Sequence, residues 1–147
     1  MRESAPRATS SGPGRVLIAV YAIFALSSTA RATVQIATKF HEAPLAYLLS
    51  ALAGVVYILA TIGLAGHGPA YRRLAWAAVG FELAGVLVVG TLTVLDTADF
   101  PDDTVWSVYG RGYGFVPLLL PVIGLAWLRR TRARADGSPH SRPGGQG

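Results

Sequence analysis

The chain has no cysteine, which excludes disulfides, thiolate metal sites and a cysteine nucleophile together. Charge is scarce as well. Charged residues make up 14% of the 147 positions, against about 25% in an ordinary soluble domain, so the polar surface of such a domain is missing. No stretch alternates apolar and polar residues at a period of two, and the apolar runs are too long for strands, which argues against a membrane barrel. Phosphate-binding loops, a catalytic triad arrangement and a haem site are lacking too. His41-Glu42 stands in HEAPL, without the second histidine of a zinc-protease helix. The loop holding Asp96, Asp99, Asp102 and Asp103 lacks the Asp/Asn-Gly spacing of an EF-hand and reads as solvated. The run Tyr109-Gly110-Arg111-Gly112-Tyr113-Gly114 contains GYG. It has no pore helix before it and no Thr-Val step, and Arg111 would repel cations, so a potassium filter is rejected.

Long apolar runs are what the sequence does contain. The organising one is 74–95, LAWAAVGFELAGVLVVGTLTVL, interrupted only by Glu82. As a helix it reaches roughly 33 Å, enough to cross a hydrocarbon core of about 30 Å. A carboxylate at that depth costs about 2.5–3.5 kcal/mol on insertion scales and needs a partner, a proton or a cavity. Three further runs flank it. The pattern predicts an all-α protein with four transmembrane helices, spanning about 16–38, 45–65, 74–95 and 105–128, as one domain over 16–128. The tails, 1–15 and 129–147, are basic and rich in Gly, Pro and Ser and are expected to be disordered. Two readings of the first run stay open. Either a basic leader ends at Ser28-Thr29-Ala30 and is cleaved, or the helix continues through Arg31 to about Thr38.

The net charge of +5 marks topology more than a nucleic-acid footprint. Ten of the thirteen basic residues lie in the tails and in one short loop, among them Arg72 and Arg73, beside apolar segments. Both termini are therefore expected in the cytoplasm of a cell whose cytoplasmic membrane the chain spans, with the aspartate loop outside. Arg129, Arg130, Arg132 and Arg134 suit anionic headgroups or serve topology alone. No nucleic acid and no cofactor is expected.

Few residues inside the spans carry chemistry. Ser28, Arg31, Gln35 and Thr38 recur at spacings of three or four and share one helix face, which should meet protein or water rather than lipid. Arg31 either snorkels to the outer interface, forms a buried ion pair, or lines a ligand or ion site. Glu82 shares a face with Ala75, Ala78, Gly85 and Val86, small enough for another helix to approach closely. It reads either as structural polar glue or as a transport or ligand group. Arg31, Gln35, Glu82 and Arg111 are thus the candidate ligand or ion pathway. An Arg31–Glu82 pair is offset by roughly 10 Å along the axes, and Asp96 and Asp99 are rival partners for Arg31. Glycines 110, 112 and 114 suit a flexible or close-packed lead into the fourth helix, which Pro117 and Pro121 should kink.

The stretches ALSSTARATVQIATKFHEAPLAYLLSALAGVVYILAT, GFELAGVLVVGTL and FPDDTVWSVYGRGYGFVPLLLPVIGLAWLRR resemble small four-helix integral membrane proteins of high-GC Gram-positive bacteria. The resemblance covers about 16–130 and implies a fold but no activity. Small multidrug transporters are similar in size and helix number, but their essential glutamate lies in the first helix, where this chain has Arg31. The expected function is a non-catalytic partner or assembly component of a membrane complex, which includes a homo-oligomer. The alternative is a small transporter using Glu82 and Arg31. An enzyme is not expected.

Overall fold

Proline opens two of the long helices. Pro44 and Pro69 sit in first turns, where a fixed φ suits the helix and the missing N–H would have had no partner. Between those helices Gly66 donates its N–H to the Ile62 carbonyl, and Gly68 turns the chain at φ 103°, a conformation that glycine takes at little cost. The computed structural model describes residues 12–96, 98, 100 and 102–136. It comprises α1 (Gly12–Lys39), α2 (Pro44–Ala65), α3 (Pro69–Leu95) and α4 (Val116–Asp136), with 3-10 segments at Phe40–Glu42 and Ser107–Tyr113. The fold is all-helical, with no strand among the described residues.

Among the described residues three helices, α1 to α3, are long and apolar enough to cross a membrane; a fourth crossing requires Ser107–Tyr113 and Val116–Arg132 to count as one span bent by 100°. Hydropathy expects one span over about 105–128 with a glycine lead-in and a kink at the prolines, whereas in the structure the break falls before Pro117. The chain turns at Gly114 (φ 63°) and Phe115 (φ 60°), and the two pieces are nearly perpendicular. The helices also begin earlier or run later than apolarity suggests. Positions 12–15 belong to α1, Arg72 and Arg73 lie on α3, and 129–136 continue α4. Disorder is therefore wrong for those tail segments, because a helix can carry polar residues beyond the membrane boundary. The remainder of both expected tails, 1–11 and 137–147, lies outside the described residues. Pro117 stands in the first turn of α4, where it kinks nothing, and Pro121 alone lies inside that helix.

Neighbouring helices pack in chain order, α1 on α2, α2 on α3 and α3 on α4, with a slighter α1–α4 contact. Small residues set the spacing. A Cβ at Gly63 would fall 2.5 Å from the Ala75 nitrogen, so α2 and α3 meet backbone to backbone there. Lipid-sized side chains such as Leu26, Val34, Val88 and Ile123 point outwards, whereas Tyr21, Tyr47, Tyr57, Val79, Glu82, Val86 and Trp106 are enclosed.

The segment before α4 folds back into the bundle. Gly85 of α3 receives the Trp106 ring and Gly90 receives Tyr109. The small face around Glu82 thus admits a loop aromatic at Gly85, where a neighbouring helix was expected. Trp106 rests ten residues below the end of α3, a depth of about 15 Å. Val108, Tyr109 and Gly110 take left-handed dihedrals in succession (φ 48°, 59° and 83°), which costs non-glycine residues roughly 1–2 kcal/mol each. Contacts to α3 offset this cost. The Val108 N–H donates to Thr93 Oγ1 at 2.8 Å, and the Tyr109 hydroxyl lies 2.9 Å from Thr91 Oγ1. Gly110 in turn lets the Pro117 ring close over it.

Candidate functional site

Glu82 lies where all four helices converge and has no exposed surface. Ala78 and Val79 of α3 are buried beside it in sequence, and α1 supplies its partner. The Tyr21 hydroxyl donates to Glu82 Oε2 at 2.6 Å. From α4, Gly124 leaves room for that hydroxyl, since a Cβ there would stand 3.2 Å from it. From α2, Tyr57 approaches Tyr21 with ring centroids 6.2 Å apart, and its hydroxyl accepts the Trp106 indole N–H at 3.1 Å. Glu82 Oε1 has no hydrogen-bond partner among the described residues. A buried polar atom left so carries a desolvation cost and marks a place for one further donor.

Arg31 does not meet Glu82. Ten residues separate it from Tyr21 on α1, about 15 Å along the axis, so it belongs to the other end of the bundle. Its Nη1 donates to the Tyr113 hydroxyl at 2.7 Å. Below that bond Phe24 packs against both Tyr113 and Tyr57, at centroid distances of 5.7 and 5.5 Å. An apolar ring therefore separates the arginine from the carboxylate. Beside Arg31 opens a cavity of about 400 Å³, whose walls include Asp103, Thr104, Ser107 and Arg111. Thr104 and Ser107 are buried and bound to each other, the Ser107 hydroxyl donating at 3.2 Å and the Thr104 N–H returning a bond at 2.8 Å. Arg111 is exposed at the rim.

The four pathway candidates therefore divide. Arg31 and Arg111 share one cavity, Glu82 lies deeper, and Gln35 is buried elsewhere on α1 with Oε1 unpartnered. Of the polar stripe, Ser28 and Gln35 are buried, but Thr38 is exposed and bonds its own helix at Val34 O. Asp96 is exposed, and Asp99 lies outside the described residues. The aspartate loop meets the end of α1 through another residue. Asp102 accepts a bond from the Tyr47 hydroxyl at 2.8 Å and stands 3.6 Å from Lys39 Nζ. The Tyr47 bond in particular holds the Asp102 carboxyl below its ordinary range.

At the opposite end Arg72 grips α4, donating to the Leu128 carbonyl and to Thr131 Oγ1. Arg129, Arg130 and Arg132 are exposed at the same end. Among the described residues no three His, Asp or Glu gather as a metal site would require. The residues that sequence reasoning passed over are Tyr21, Tyr57, Trp106 and Tyr113. Their signal was present: a tyrosine or tryptophan inside an apolar run has a polar tip that needs a partner. Compared with known proteins, the chain matches no family model, no curated protein and no solved structure.

Proposed function

We propose that this chain is a four-span protein of the cytoplasmic membrane, with both termini in the cytoplasm, acting as a non-catalytic partner or assembly component of a membrane complex. The four-span reading takes Ser107–Tyr113 and α4 as one broken crossing. It is supported by charge: Arg15, Arg72, Arg73, Arg129 and Arg130 lie toward one end and Asp96, Asp102 and Asp103 toward the other. The observation that carries the functional reading is the enclosure of Glu82. A costly carboxylate without exposed surface, tied to Tyr21 where four helices meet, serves packing and leaves the lipid-facing surface for a partner or a second copy. Arg129, Arg130, Arg132 and Arg134 supply a basic end for anionic headgroups.

Co-purification from native membranes with the full chain tests this. One protein recovered in fixed ratio, or a defined homo-oligomer, is the expected result; a monomer without companions overturns it. The unpartnered Glu82 Oε1 favours a second reading, a small proton-coupled transporter. Flux in proteoliposomes decides between them. Gradient-driven transport that Glu82→Gln abolishes would establish the second and displace the first.

A further inference from the structure

We propose that the cavity between Arg31 and Arg111 binds a phosphate oxyanion, carried either by a phospholipid headgroup or by a free phosphate. The cavity measures about 400 Å³, large enough for a phosphate group with part of what it is attached to. Its donors are arranged in advance. Arg31 uses Nη1 on the Tyr113 hydroxyl at 2.7 Å, which fixes the plane of its guanidinium. The fork keeps further N–H donors, and a planar fork matches oxyanion geometry. Tyr113 accepts that bond and keeps its own hydroxyl proton to donate. Arg111 adds a second guanidinium at the rim.

Charge balance points the same way. Among the described residues Asp103 is the one acid in the wall beside two arginines, and the described ion pair at this end engages Lys39 and Asp102 instead. The cavity therefore carries a net positive charge that an oxyanion would neutralise. The backbone supplies the third indication. Three successive left-handed residues, Val108 to Gly110, lead directly into Arg111, which lines the same cavity as Arg31 and Tyr113. Such conformations persist only where their surroundings fix them, and they cluster at ligand clamps. This site does not depend on the partner reading, because it would bind phosphate in a chain that has no partner.

The test uses the full chain purified in an uncharged detergent, with thermal unfolding as readout. One arm titrates inorganic phosphate, and the other titrates phosphatidylglycerol in mixed micelles. The expected result is a saturable rise in Tm in at least one arm. Arg111→Gln, at an exposed position, should weaken that response about tenfold or more. Arg31→Lys, which keeps the charge and loses the fork, should weaken it as well. Arg73→Gln, exposed at the other end of the bundle, should leave it unchanged. Saturation with the lipid alone assigns the site to a headgroup, and saturation with inorganic phosphate assigns it to a soluble ligand. No saturable response in either arm, or one that survives Arg111→Gln or falls equally in Arg73→Gln, overturns the proposal.

Discussion

Tyr21 and Glu82 are bound to each other at 2.6 Å and both have no exposed surface, so their substitutions should be coupled. Tyr21→Phe removes the one described donor to the carboxylate and should cost about 1–3 kcal/mol of stability in detergent. Combined with Glu82→Gln, the loss should fall short of the sum by at least about 0.5 kcal/mol. Arg31→Gln combined with Glu82→Gln should instead be additive, since those residues belong to different ends. Coupling in the arginine pair, or none in the tyrosine pair, would contradict the arrangement. Asp102 gives a pH signature. Its carboxyl is held below the ordinary range, mainly by the Tyr47 hydroxyl, so folding favours its ionised form. The stabilisation is present above the unfolded value of about 3.9 and disappears as pH falls through the lower folded value. Melting curves of the wild type and Asp102→Asn should therefore differ at neutral pH and converge as the pH drops below about 4.

Helix α3 works as a rail that accepts aromatic rings at Gly85 and Gly90. Gly90→Ala would put a Cβ 2.8 Å from the Tyr109 nitrogen, where backbone must move, and should cost about 1–3 kcal/mol. Gly80→Ala on the same helix meets nothing within 4 Å and should leave stability unchanged or raise it by up to about 1 kcal/mol. Thermal unfolding of the two variants side by side checks the difference; equal losses would remove Tyr109 from that position. The same contrast explains what the sequence could reveal. Apolar length locates the second helix closely and the apolar body of the third, but the third begins at Pro69, ahead of the expected 74, because hydropathy does not register a polar first turn. The piece before α4 escapes such reasoning. Apolarity is blind to backbone handedness, and neither Val108 nor Tyr109 has a residue type that announces a left-handed turn. That Glu82 faces inward could be read, but its partner could not. Axial counting compared it with the nearest opposite charge, whereas the actual neighbour is a neutral hydroxyl on α1.

For the whole molecule the topology can be measured cleanly, since no native cysteine competes with an introduced one. With both termini cytoplasmic, Ala70→Cys should be shielded from an impermeant thiol reagent applied to intact cells, and Ala98→Cys should be labelled. Labelling of Ala70→Cys from outside would invert the orientation. The perpendicular break between Ser107–Tyr113 and α4 also has a consequence in time. Beyond the break, the apolar part of α4 ends before Arg129 and reaches only about 20 Å, less than the roughly 30 Å of a hydrocarbon core. Insertion machinery that weighs each emerging segment by apolar length would pass α1, α2 and α3 without help and hesitate over this one. Its retention then falls to the three helices already in place, which offer Arg72 to hold Leu128 and a slot at Gly85 for Trp106. On the proposed four-span reading the order of synthesis becomes the order of assembly, and the last crossing is secured by folding after the first three have been secured by the lipid.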